Sequence, residues 1–405
     1  MKPMFVLIST RRANAYRSTG LPTCFWDGNT SRGRTAAWCA KKRGPETMPS
    51  QSHHSMAYVP LSGADQAFAQ LVAHVEEHDA ILEHTGARDV KILVGENSIE
   101  VGSDGEGISL KVSAVSQSVL YFLKEAAVRH MAELNAPAAE QLRWEDDAAP
   151  SLNDGLPSNF HELTLTEKSE PMPGLIRLRL NASGDMEALA GPGIHVKLML
   201  PLNQDRAPVW PKVAANGTTK WPDGEDALHV RYYTIRSADP AEGHLDIDIV
   251  RHEGGVIAEW AEFAKEGDRI GLLGPSGREL PQSGDHVIFA GDQTALPALA
   301  RMIEELPEGV TGHLVGEAET KEELDHYLPR TDLAVHAIPA ARFQAEVLDV
   351  CRTLSAGEKL QFAWFAGEYK NAQAMRKLFK SEFGLGKGSQ YSITYWRKGA
   401  SLKAD

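Results

Sequence analysis

The sequence predicts three folded units in series: a small α+β domain, an antiparallel β-barrel, and an α/β doubly wound parallel sheet. Three observations predict this. The chain has 405 residues, more than the roughly 250–300 residues that one hydrophobic core organises. Its middle reads as short strands punctuated by Gly and Pro, the rhythm of a barrel. Its last part alternates strands with helices, the rhythm of a parallel sheet. The composition is 42% hydrophobic and 24% charged, which excludes a mainly disordered chain and a disulfide miniprotein.

Residues 1–55 stand apart. They are rich in Ser, Thr, Gly and Arg and lack apolar periodicity, so little fixed structure is expected. A transit peptide shares this composition. The reading preferred is translated upstream sequence, because Met48 and Met56 both precede the first ordered-looking segment. Residues 56–145 follow as the α+β unit. Ala67, Leu71, Val75 and His78 recur at helical spacing and predict a helix near 64–80. Runs at 90–94 and 98–101 flank a turn at 95–97, and a third run covers 108–112. A second helix is expected over 117–133, ending before Pro137, and residues 146–156 read as a linker.

Residues 157–280 hold six β-rich runs, at 162–166, 175–180, 194–200, 228–236, 245–250 and 269–273. Residues 284–400 alternate. Strands are expected at 286–290, 313–316, 333–338, 361–366 and 391–395, with helices at 297–305, 321–327, 342–354 and 372–383 between them.

The net charge is −13, from 42 basic and 55 acidic residues. Residues 1–47 hold nine basic and two acidic residues, so the remainder carries −20. That argues against nucleic acid as a partner. No apolar run approaches the ~18–20 residues of a transmembrane helix, so no membrane partner is expected. Cys24, Cys39 and Cys351 are far apart and odd in number, which fits a reducing compartment and no cysteine-based metal site.

Four segments carry chemistry. In Arg231-Tyr232-Tyr233-Thr234, the Arg offers a fork of donors to a pyrophosphate, and Tyr233 lies on the same strand face to meet a flat ring. The following Thr offers a hydroxyl to a ring nitrogen. Such a set suits a flavin dinucleotide; a barrel strand with core aromatics is the alternative. In the segment from Arg251 to Trp260, Gly254 and Gly255 open a helix whose free N–H groups suit an anion. His252 there serves a hydrogen bond or a cofactor equally well, and Trp260 an adenine or the barrel core. Residues 290–298 end the first strand of the sheet and contain Asp292, Thr294 and Ala295, where such a domain presents small residues to a nucleotide. Residues 364–368 and 395–399, the latter with Tyr395, Arg397 and Lys398, fall at other strand ends facing the same cleft.

Together and in this order, over residues 157–400, these segments resemble the siderophore-interacting protein family, flavin-dependent ferric-siderophore reductases of the ferredoxin-reductase superfamily. The chain departs from the family at Gln293, where Glu is usual, at Val256-Ile257 in the glycine turn, and at Thr394 before Tyr395-Trp396. Residues 56–145 are similar to a small domain of unknown function sometimes fused ahead of these reductases. His74 and His78 are four apart there, with His84 and His130 elsewhere in the same unit. Polar contacts in a small core are the expected role, and no metal ligands are assigned.

The resemblance implies FAD on the barrel and NAD(P)H at the sheet. Arg231, Tyr232, Tyr233, Thr234, His252, Gly254, Gly255, Val256, Ala258 and Trp260 would serve FAD. Asp292, Thr294, Ala295 and Tyr395 would border the nicotinamide side, and no side chain would be catalytic. Arg397 and Lys398 would attract an anionic ferric siderophore. Glu317 and Glu319 after the second sheet strand tilt the nucleotide to NADH. A cytoplasmic monomer is expected. The alternative is a flavin-dependent NAD(P)H reductase or electron-transfer flavoprotein with a non-siderophore acceptor.

Overall fold

A computed structural model describes residues 53–399, except 78–80, 95, 146–154, 183–185, 192 and 278–279. The predicted leader up to residue 52, the linker core and His78 therefore lie outside the described residues.

The first unit is a five-stranded antiparallel sheet in the order β1-β5-β4-β3-β2. Its elements are β1 (His53–Pro60), α1 (Ala64–Glu77), β2 (Ile81–His84), β3 (Asp89–Val94), β4 (Asn97–Ser103), β5 (Gly107–Ala114), α2 (Gln117–Leu134) and α3 (Ala136–Gln141). The first strand begins at His53, three residues ahead of the expected boundary at 56. Period-two alternation in β1 turns Ala57 and Val59 inward and Tyr58 outward. Ser116 caps α2 by accepting from the Val119 N–H. Pro137 stops α2 as predicted but also opens α3, where Asn135 accepts from the Ala138 N–H. The helices and sheet enclose Phe68, Leu71, Leu110, Leu123, Met131 and Trp144.

The second unit comprises β6 (Phe160–Ser169), β7 (Leu175–Ala182), α4 (Met186–Ala190), β8 (His195–Pro201), β9 (Lys212–Val213), β10 (Thr219–Lys220), β11 (Leu228–Asp239), β12 (His244–Val250), α5 (Val256–Phe263) and β13 (Arg269–Ser276). Six strands close a barrel in the order β11-β12-β7-β6-β13-β8. Each predicted run became one of them. Leu163, Leu178, Leu198, Ile247 and Leu272 fill the inside. On its outer face Arg177 grips Asp248 through two bonds of 2.7 Å. Arg179 grips Asp246 beside it, at 3.0 and 3.1 Å. These cross-strand pairs fix the β7–β12 register. The small β9–β10 hairpin was not legible in the sequence. It joins the barrel to the first unit: Trp144 donates to the Asn216 carbonyl at 3.0 Å, and Tyr121 meets Thr219 at 2.9 Å.

The third unit comprises β14 (His286–Gly291), α6 (Leu296–Glu304), β15 (Thr311–Glu317), α7 (Lys321–Tyr327), β16 (Ala334–Ile338), α8 (Ala340–Leu354), β17 (Phe362–Glu368), α9 (Tyr369–Ser381) and β18 (Gln390–Trp396). Its parallel sheet runs β16-β15-β14-β17-β18. One face packs on α6 and α7, the other on α8 and α9. Strand β17 is buried at every position, as a central parallel strand demands. The strand order reverses between β14 and β17, and such a switch point opens a crevice at the carboxyl ends of the strands.

The barrel and this sheet are tied together. Arg301 on α6 donates to the carbonyls of Ile235, Ala190 and Gly191. Tyr327 donates to Asp248 at 2.6 Å, and Gln293 donates to the Pro173 carbonyl at 2.7 Å.

Candidate functional site

The site begins on β11. Alternation puts Arg231, Tyr233 and Ile235 in one row. Ile235 is wholly buried in the barrel, so the row leads outward from the core to the guanidinium. Tyr233 packs against that core. Tyr232 lies on the opposite face, 55% exposed, with Lys197 over its ring at 5.5 Å. Burial pushes the Tyr233 hydroxyl up, and the Arg231 charge opposes that. Arg177, Arg179 and Arg251 bond carboxylates, which raises them. Arg231 moves the other way: burial lowers it, so it is a cation held partly out of water. A pyrophosphate there would recover that cost.

Strand β12 runs into the glycine turn, and α5 starts as predicted. Gly255 caps it with no side-chain bond. Gly254 has φ +74°, and its N–H donates to Glu259 at 3.2 Å. The His252 ring lies against Gly255, 2.1 Å from where a Cβ would stand. The His252 Nδ1 lies 3.2 Å from the Glu253 carbonyl. Ala258 is buried and Trp260 packs on the barrel core, while Val256 is 37% exposed.

At the switch point, Asp292 is 2% exposed and accepts from four donors. Its Oδ1 takes the Thr294 N–H and hydroxyl. Its Oδ2 takes the Glu368 N–H at 3.0 Å and the Trp396 indole at 2.7 Å. Desolvation raises the carboxyl, and these bonds counter it. A Cβ on Gly367 would reach 2.5 Å from Asp292 Oδ2, so glycine there admits the carboxylate. Asp292 thus ties the ends of β14, β17 and β18 together. Ala295 is wholly buried, its N–H donating to the Asp292 carbonyl and its own carbonyl accepting from Leu299. Beside Asp292, burial and then the Asp292 charge push Glu317 up to about 7.

Two rings join the halves. Thr234 pairs with His195 across β11 and β8, and His195 meets Tyr395 edge-on at 5.8 Å. Tyr395 in turn meets Trp364 at 6.4 Å. Desolvation pushes His195 down to about 4, so its ring is neutral at pH 7. Nearby, Arg397 lies over the Tyr369 ring at 4.7 Å, and the Lys398 N–H donates to Glu368 at 3.2 Å. Arg231, Tyr233 and Thr234 therefore share a strand that abuts the region of Asp292, Thr294 and Tyr395. His195 had no signal in the sequence, because its place depends on cross-strand register. The indole of Trp396 was legible as an aromatic but not as a donor to Asp292.

The residues fit the groups the resemblance implies. A partly desolvated guanidinium and an uncapped glycine turn suit a dinucleotide, and the switch-point crevice suits a nicotinamide nucleotide. A six-stranded antiparallel barrel joined to this sheet is the ferredoxin-reductase-like fold that the resemblance implies.

Comparison with known proteins narrows the class. Residues 164–279 match the siderophore-interacting FAD-binding domain, and residues 284–399 match the siderophore-interacting protein domain. The chain belongs to the siderophore-interacting protein family. It is 30% identical to the ferric vibriobactin reductase ViuB of Vibrio cholerae, over 52% of this chain and 79% of that one. It is 25% identical to the ferric acinetobactin reductase of Acinetobacter baumannii, over 59% and 79%. The solved siderophore-interacting protein of Acinetobacter baumannii is 24% identical with a TM-score of 0.50, covering 60% of this chain and 92% of its own, and shares the fold. No helix of the described residues is long and apolar enough to cross a membrane.

Proposed function

We propose that this chain is an FAD-dependent ferric-siderophore reductase that draws on NADH in the cytoplasm. One observation carries the reading. The partly desolvated Arg231, in line with Tyr233 and followed by Thr234, lies on the barrel strand that abuts the switch point through His195 and Tyr395. All of these residues fall within the two matched family regions. The names of the vibriobactin and acinetobactin reductases supply the substrate class.

Bound FAD would supply hydride acceptance from the nicotinamide and single-electron transfer to iron. The chain's own work is placement. Arg231 holds the pyrophosphate, aided by the N–H groups of Gly255 and Val256. Tyr233 backs the flavin ring, and Thr234 offers its hydroxyl to the ring's polar edge. Tyr395 walls the nicotinamide side, with the buried Trp364 ring behind it. The Asp292 carboxylate is taken up by protein donors, so it shapes that wall rather than touching the nucleotide. Glu317 closes the second sheet strand, at the position from which an acceptor serves ribose hydroxyls, which favours NADH. Ferric iron is the substrate: hard oxygen donors hold Fe(III) far better than Fe(II), so reduction loosens the chelate. Arg397 and Lys398 attract an anionic chelate to a body of charge −20.

The test is anaerobic turnover with NADH, NADPH and a panel of ferric siderophores in the presence of a ferrous trap. The reading expects flavin absorbance in the purified protein, trapped Fe(II), and faster turnover with NADH. Flavin reduction without Fe(II) from any siderophore would move the chain to a reductase with another acceptor.

A further inference from the structure

The parallel sheet has a second edge, at the N-terminal ends of its strands. Three imidazoles stand there on adjacent strands. His286 opens β14, His313 lies in β15 and His336 in β16. Register sets His313 beside Ile288 and His336 beside Val315. Ile288 and Val315 belong to the core under α8 and α9, so the three histidines share that face at its margin. The turn after α8 adds Glu358. Its Oε2 lies 2.7 Å from His286 Nε2 and 3.3 Å from His313 Nε2. One nitrogen of each of these two rings and the carboxylate oxygen all lie within 4.8 Å of one another.

We propose that His286, His313 and Glu358 bind one divalent first-row transition ion of the zinc or ferrous class, with Thr311 and His336 orienting the two ligand rings. Two imidazole nitrogens and a carboxylate oxygen are a donor set that such ions take and that Mg²⁺ and Ca²⁺, which want oxygen, do not. Bonds of ~2.0–2.1 Å at tetrahedral angles set ligand atoms roughly 3.3–3.5 Å apart, a separation the cluster reaches by small side-chain shifts.

The far side of each ring is already arranged. His286 Nδ1 lies 3.0 Å from Thr311 Oγ1, and His313 Nδ1 lies 3.2 Å from His336 Nε2. With an ion on both Nε2 lone pairs, each Nδ1–H donates to those partners, which is how metal-bound histidines are held. With no ion, the Nε2–H groups donate to Glu358 instead. Neutral imidazoles therefore pass between the two states by changing tautomer. His286, His313 and Glu358 side chains are 28%, 16% and 39% exposed, so an ion can enter and keep water in its remaining positions. The ion would clamp β14, β15 and the α8–β17 turn, at the opposite strand ends from Asp292. It therefore has no part in the proposed electron path.

The test uses the full chain, stripped with a chelator and dialysed. Zn²⁺, anaerobic Fe²⁺ and Mg²⁺ are titrated against a chromophoric competitor, and melting is recorded with and without each ion. Zn²⁺ or Fe²⁺ should bind and raise the melting temperature, and Mg²⁺ should do neither. The double variant His286→Asn/His313→Asn should lose about 100-fold or more in affinity, and His336→Phe about 10–100-fold. Glu358→Gln keeps the side-chain shape and should also weaken binding and abolish the melting shift, which covers the case of a poorly folded double variant. The first unit supplies a control: His74 Nε2 lies 3.1 Å from His130 Nδ1 and 3.0 Å from Glu133. His74→Asn should leave the signal assigned to the sheet edge intact. The proposal is overturned if both the double variant and Glu358→Gln bind as the native chain does, if only His74→Asn removes binding, or if neither ion outcompetes Mg²⁺.

Discussion

The two edges of the parallel sheet carry similar groups under opposite conditions. At the carboxyl edge, Asp292 is buried and accepts from four protein donors, and Glu317 is pushed up to about 7 beside it. At the amino edge, Glu358 faces two histidines and is held below the usual range, first by its bond from His286. The carboxyl edge borders the switch-point crevice and is tied to the barrel by hydrogen bonds. The other is half open to water. The difference is one of partners: the dry carboxylate is saturated by backbone, hydroxyl and indole donors, and the half-exposed one meets two imidazoles.

Asp292→Ala should give the largest effect. It strands the Trp396 indole and the N–H groups of Thr294 and Glu368. A loss of about 3–5 kcal/mol is expected in denaturant unfolding. A loss under about 1 kcal/mol would break the contrast between the edges. Arg231→Ala comes next. Flavin titration by fluorescence quenching should show FAD affinity falling about 10–100-fold, the worth of one to two charge-assisted bonds. Unchanged affinity would remove Arg231 from the pyrophosphate role.

Tyr327→Phe removes one hydroxyl bond between sheet and barrel, to Asp248. About 1–2 kcal/mol of stability should go, read by the same unfolding assay. Glu317→Gln sharpens the electrostatic side. The folded state raises this carboxyl from 4.5 to about 7, mainly by burial. The folded state therefore binds more protons than the unfolded state between those values, and stability falls as pH rises through that window. The Gln variant should melt later than the native chain at pH 8 and show a flatter profile from pH 4.5 to 7. An identical profile would mean that Glu317 is solvated. The smallest effect is expected at the open edge. Without added metal, His286→Asn should cost about 1 kcal/mol or less, since water can replace the lost bonds. A loss matching that of Asp292→Ala would make both edges structural.

Much of the fold was legible because it rests on local pattern. The six barrel strands announce themselves by β-rich runs between Gly and Pro, and the helix expected at 321–327 is α7, Lys321–Tyr327, whose N-terminus Thr320 caps by accepting from Glu323. Short pieces were not legible. The four residues of β2 and the two-residue β9 and β10 carry too little periodicity to stand out. The site was half legible. Arg231, Tyr233 and Thr234 are adjacent in sequence, so a strand places them together. His195, Tyr395 and Trp396 come from separate strands, so no spacing reveals that they meet.

By itself the sequence determined the order of barrel and sheet and the family, because each depends on neighbours a few residues apart. Only the tertiary structure decided which polar groups are spent and which are free. It enclosed Asp292 among four donors and brought Lys197 over the Tyr232 ring. It also gathered His286, His313 and Glu358 from elements up to 72 residues apart. The physical reason is that burial and cross-strand register set the strength of a charge or a hydrogen bond, and both arise only when distant segments pack.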